Sequence, residues 1–147
     1  MSINALNDML YYCKNNNIYV VAILPPFANS VNMKMLQSGN YKYMDSIYYK
    51  SNKIFEQYNF ELWDMSNLNK YDSNDNETLD GFHGSEVSYL KMLIYLIENG
   101  SKLNDYTNLQ KLKIDLSNKG NAYSVYPNQW IIKRSTNAQQ NVSAMVP

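Results

Sequence analysis

Apolar residues recur at helical spacing at the start of the chain, where Ile3, Leu6, Leu10 and Cys13 fall on one face and Ser2 is placed to cap the amino end. Asn15-Asn16-Asn17 ends that pattern. From Ile18 to Leu24 the chain is continuously apolar and rich in β-branched residues, which predicts a parallel strand covered on both faces. Pro25-Pro26 removes two backbone donors and closes the strand. Phe27 to Asn40 is expected to form a long crossing loop, or a loop with a short helix, at the strand's carboxyl end, where ligands collect in open α/β sheets.

Met44, Ile47, Tyr48, Ser51, Ile54, Phe55 and Tyr58 form the stripe of a second helix over roughly residues 41–57. Phe60 to Asp64 reads as a second short strand. Asn67 to Asp80 is dense in Asn, Asp and Ser and reads as loop. Ser85 then suits an N-cap and Glu86 a first helical turn. Val87, Leu90, Leu93, Ile94 and Ile97 mark the inward face of a largely buried helix, which Asn99-Gly100 stops. Leu103 to Leu116 predicts a short helix followed by an extended segment. A third strand is expected from Ala122 to Tyr126, from Trp130 to Lys133, or from both. The order helix, strand, helix, strand, helix predicts a three-layer α/β fold with a small, mainly parallel sheet. One domain or partial domain is expected over residues 1–134, with a loose tail over 135–147.

Composition narrows the function. The chain has 147 residues, enough for one domain with a useful core. Its 45% hydrophobic and 14% aromatic content argues against global disorder. Thirteen basic and thirteen acidic side chains cancel, so there is no general pull toward nucleic acid or an anionic membrane. The tyrosines at 11, 12, 41, 43, 48 and 49 lack an associated basic groove and are better read as core-edge or interface residues. The longest nearly apolar run, Ile18 to Ala28, is too short and too Pro-interrupted to span a membrane. Residues 1–15 show no targeting segment. Cys13 alone excludes an intrachain disulfide.

Candidate chemistry centres on Asp80-Gly-Phe-His83, because His83 is the only histidine. A tight turn could bring carboxylate and imidazole together, with Gly81 relaxing the backbone and Phe82 anchoring it. The alternative is a local turn-and-cap role. Ser85, if it caps the helix, is a poor nucleophile; Ser30, Ser38 and Ser66 lie in loops near the strand ends but lack a nucleophile-elbow context. Asp72, Asp75, Glu77 and Asp80 form an acidic stretch without the ligand ladder of a calcium loop, and it reads as a solvated loop. Cys13 and His83 lie on different elements, which disfavours zinc. No phosphate-binding glycine loop is present.

The Asp-x-x-His block, set after a strand and loop and before a closing helix, resembles the last conserved block of the SGNH/GDSL hydrolases, serine esterases and acyltransferases with a flavodoxin-like fold. The likeness extends over about residues 1–100: Ile18 to Leu24 resembles a core strand of that family, Phe60 to Asp64 its last one and Glu86 to Glu98 its final helix. It implies the C-terminal half of such a fold, with His83 as base and Asp80 as its orienter, acting on an ester or acylated carbohydrate without redox or nucleotide cofactor. It would also permit an extracytoplasmic location. The family's Gly-Asp-Ser nucleophile block, its oxyanion glycine and its Gly-x-Asn block have no counterpart here, and Gly39-Asn40 has the wrong spacing. The resemblance therefore implies a site inactive alone, with self-association or a missing partner segment. A noncatalytic structural or protein-interaction module is the alternative.

Overall fold

The computed structural model describes residues 3–126. Helix α1 (Ile3–Asn15) leads through an Asn-rich turn, with Asn17 in a left-handed conformation, into strand β1 (Val21–Leu24). Helices α2 (Asn29–Ser38) and α3 (Met44–Gln57) follow, and strand β2 (Glu61–Asp64) returns beside β1. Short 3₁₀ turns at Leu68–Tyr71 and Asp75–Glu77 precede helix α4 (Glu86–Glu98). A further 3₁₀ turn (Lys102–Tyr106) joins α4 to α5 (Leu109–Ser117). The result is a small mixed α/β fold with several helices around a two-stranded parallel sheet.

The sheet pairs Val21 with Glu61 through Leu24 with Asp64. Side-chain alternation sends Ala22, Leu24 and Leu62 to one face, into a core with Leu10 of α1 and Ile54 and Phe55 of α3. Ile23 and Trp63 go to the other face, against Met65, Leu68, Tyr71 and the α4 residues Met92 and Leu96. The opposite flank of α4 buries Val87, Leu90, Ile94 and Ile97 against Leu112 of α5 and Val125. Two stripes on one helix therefore make α4 the shared wall of two cores, which explains why its apolar face is wider than an ordinary amphipathic stripe.

Several expectations are revised. The strand begins at Val21 rather than Ile18, and its four side chains are only half-buried. The Phe27–Asn40 segment takes the second of its two expected forms, with a ten-residue helix ended by Gly39 in the left-handed region. Leu103 to Leu116 reverses the expected order, a 3₁₀ turn preceding the α-helix, with no extended part. Ala122 to Tyr126 is not a strand. Its backbone goes elsewhere: Glu86 Oε2 accepts from the amides of Val125 (3.0 Å) and Tyr126 (3.3 Å), and Ser85 Oγ donates to the Ala122 carbonyl. The expected strand at Trp130–Lys133 and the tail at 135–147 lie outside the described residues. No helix among the described residues is long and apolar enough to cross a membrane.

Candidate functional site

Asp80 to His83 forms the tip of a tight turn. The Leu79 amide donates to the His83 carbonyl at 2.8 Å, and an antiparallel bridge joins Thr78 to Gly84 at its base. Gly81 has φ +84°, a conformation costly for residues with a Cβ. A Cβ there would also meet Val31 Cγ2 at 2.8 Å. Gly84 is needed for contact instead: a Cβ would stand 3.2 Å from both Ser88 Oγ and the Tyr89 ring. Both glycines thus fit the turn tightly to its surroundings.

The two oxygens of Asp80 have separate tasks. Oδ1 accepts from the backbone amides of Phe82 and His83, each at 2.9 Å, and so builds the turn. Oδ2 holds His83 Nδ1 at 2.7 Å. One carboxylate therefore both builds the turn and holds the imidazole. The hydrogen bond from His83, followed by that from the Phe82 amide, holds the Asp80 carboxyl below its ordinary range. The His83 side chain is 70% exposed, and Nε2 has no partner among the described residues. An imidazole oriented at Nδ1 and open at Nε2 can accept a proton from a group brought to it.

The turn is fastened to α2. The Ala28 amide donates to the Gly81 carbonyl at 2.8 Å, and the rings of Phe27 and Phe82 meet edge to face at 6.1 Å. Asp75, in the 3₁₀ turn that precedes the Asp80–His83 turn, adds a third attachment. Its carboxylate accepts from the Asn29 amide (2.6 Å) and the Ser30 amide (3.0 Å), capping α2 from 46 residues away. Hydrogen bonds from Ser30, chiefly its backbone amide, hold the Asp75 carboxyl below its usual range. Nothing in the sequence signals this cap, because donor and acceptor are so far apart along the chain.

The acidic stretch is not a solvated loop throughout. Glu77 is 5% exposed, and Lys91 Nζ reaches its two oxygens at 2.7 and 2.8 Å. Ser73 Oγ donates to Oε2 at 2.9 Å, Lys119 approaches Oε1 at 3.3 Å, and Lys91 also donates to the Asp72 carbonyl. Burial pushes the Glu77 carboxyl up, but the bonds from Lys91 and Ser73 and the charge of Lys91 outweigh it, leaving it below the ordinary value. The carboxylates of Asp75, Glu77 and Asp80 serve separate protein partners. Among the described residues no group of three or more His, Cys, Asp or Glu side chains is placed to hold a metal.

No family model, curated protein or solved structure matches this chain. The chemistry must be read from the site itself. None of the weighed serines is hydrogen-bonded to His83 among the described residues. Ser66 Oγ donates to Asp64 Oδ1 at 2.6 Å, Ser38 Oγ to the Met35 carbonyl at 2.7 Å, and Ser30 lies in the first turn of α2, bonded to Asp75. Ser85 caps α4 from a buried position, accepting from the Ser88 amide, as its place in the sequence predicts. Beyond the ends of the strands lies a cavity of about 440 Å³ lined by Leu24, Phe27, Met35, Tyr41, Tyr48 and Asp64, among others. Asp80 and His83 do not line it. Phe27 is the link, since it lines the cavity and its ring packs on Phe82, the residue before His83.

Proposed function

We propose that this chain supplies the base half of an acyl-transfer site of the SGNH type, with His83 as general base and Asp80 as the residue that orients it. The observation carrying this reading is the 2.7 Å contact between Asp80 Oδ2 and His83 Nδ1 in a turn that leaves Nε2 open. In the proposed reaction a serine hydroxyl, brought by a further polypeptide segment, gives its proton to Nε2 as its oxygen bonds to the acyl carbon of an ester. The imidazolium then protonates the departing alkoxide as the ester C–O bond breaks. Water or an acceptor hydroxyl repeats the sequence to free the acyl group. Asp80 keeps Nε2 unprotonated in the resting state and stabilises the imidazolium. The half-apolar cavity next to Phe27 would receive the body of the ester, an acylated carbohydrate among the candidates.

Nitrogen NMR of the His83 ring tests the dyad. The neutral ring should carry its proton on Nδ1, and Asp80→Asn should abolish that preference. The same tautomer distribution in both proteins would refute the assignment. With a short-chain nitrophenyl ester, the chain alone should show no serine-dependent turnover. Turnover lost in His83→Ala and in one of the variants Ser30→Ala, Ser38→Ala or Ser66→Ala would show instead that the chain carries its own nucleophile.

A further inference from the structure

The cavity beyond the strand ends combines aromatic rings with one carboxylate. Tyr41 and Tyr43 sit in the turn between α2 and α3, Tyr48 and Tyr49 on α3, and Phe27 just after β1. Tyr41 and Tyr43 lie 6.5 Å apart at 40°, and Tyr48 and Tyr49 5.6 Å apart at 74°. Tyr48 packs on the core beneath α3, whereas Tyr43 and Tyr49 are exposed. With these five rings stands Asp64, the last residue of β2 and the only acidic or basic side chain among the described lining residues. Its Oδ1 accepts from the Ser66 amide (3.1 Å) and hydroxyl (2.6 Å), and its Oδ2 accepts from no described residue. Asp64 belongs to none of the ion pairs among the described residues. Lys70 reaches only its main-chain carbonyl, at 2.8 Å, with the ammonium over the Tyr95 ring, and Lys70 does not line the cavity.

The faces of aromatic rings carry negative potential, as a carboxylate does, so a cavity walled by both repels anions and favours a positive guest. Elsewhere the chain supplies such guests itself: Lys14 lies over Phe60, Lys70 over Tyr95 and Lys102 over Tyr19. Among the described residues, no lysine of the chain sits over a ring of the cavity. We infer that this cavity binds a methylated ammonium group of the choline type, with Asp64 as its counter-charge and the aromatic rings as its walls. The surroundings select methylation. A primary ammonium is strongly hydrated and brings three donors that need acceptors, while Asp64 Oδ1 is already engaged by Ser66. A fully methylated ammonium donates nothing and presents apolar methyl groups, which suit Leu24, Met35 and Ile47 in the same wall. The cavity volume of about 440 Å³ falls within the range of small-ligand sites. The binding of the cation stands independently of the acyl-transfer reading. That the cation belongs to the ester cleaved at His83 rests on that reading.

The probes are choline, its neutral carbon isostere 3,3-dimethylbutanol, and ethanolamine, each titrated into the full chain with labelled methionine methyl groups. Choline should shift the Met35 and Met44 resonances saturably, and the other two compounds should bind about tenfold more weakly or worse. Asp64→Asn keeps the Oδ1 acceptor for Ser66 and should lower choline affinity about tenfold, leaving that of the alcohol unchanged. The double variant Tyr43→Leu, Tyr49→Leu changes two exposed rings and should weaken choline several-fold at an unchanged thermal midpoint. Equal affinity for choline and the alcohol, or for choline and ethanolamine, overturns the inference. So does unchanged choline binding in either variant, or a response centred on Met9 of α1 instead of Met35 and Met44. The His83 tautomer is read in the same samples: choline selectivity without an Nδ1–H ring overturns the acyl-transfer reading alone, and an Nδ1–H ring without that selectivity overturns the cation site alone.

Discussion

Replacing Lys91 by Met should strip the buried Glu77 carboxylate of its main counter-charge while keeping a side chain of similar length. Breaking a buried ion pair by removing one partner costs about 3–5 kcal/mol. Lys119 stays at 3.3 Å and Lys91 is itself 17% exposed, which places the expected loss near the lower end, about 3 kcal/mol. Against a total stability of about 5–15 kcal/mol, this is a large fraction. Urea unfolding followed by circular dichroism should show the midpoint falling by roughly 1–3 M. The pH dependence fixes the cause. The folded-state pKa of Glu77 lies below its unfolded value, so its stabilisation is complete above that value, about 4.3, and is lost as pH falls through the folded pKa. In Lys91→Met, burial is less well opposed and Glu77 accepts a proton more readily, so the deficit should shrink between neutral pH and about pH 4.5. Adding Glu77→Leu should restore stability to within about 1 kcal/mol of the wild type, because an apolar pair replaces the ionic one. A loss below about 1 kcal/mol at neutral pH, or a deficit unchanged on acidification, would refute the argument.

Gly81→Ala should cost about 2–3 kcal/mol, combining positive-φ strain with the clash on Val31. Thermal unfolding measures that cost, and adding Val31→Ala should recover only the clash. Asp75→Ala removes two accepted amides from the start of α2 and should cost about 1–2 kcal/mol. Exchange of the Asn29 and Ser30 amides should accelerate in this variant, and unchanged protection would show that the cap contributes nothing.

The elements whose apolar periodicity is strong were legible. Helices α1, α3 and α4 bury residues the pattern placed inward, among them Leu10, Ile54, Phe55 and Val87. Helix α2 was blurred because no residue in it is fully buried, so its sequence carries no core stripe. The acidic stretch looked solvated because nothing local shows that Lys91 returns to neutralise Glu77. Ala122 to Tyr126 has strand-like composition, but the Glu86 carboxylate takes amides that a ladder would need. Asp80 and His83 were readable as a pair because a three-residue spacing can be closed by a single turn. Their attachment to α2 was not, since it depends on partners in a distant part of the sequence.

That contrast bears on how the site is acquired during folding. The Asp80–His83 contact closes a loop of three residues and costs little chain entropy, so it can form in a largely unfolded chain. The Asp75 clamp on α2 closes one of 46 residues and must wait for the strands to pair. The dyad should therefore assemble early and find its address late. In the folded protein the order reverses: the turn can detach from α2 in a local opening without losing its internal geometry, and such openings need less free energy than global unfolding.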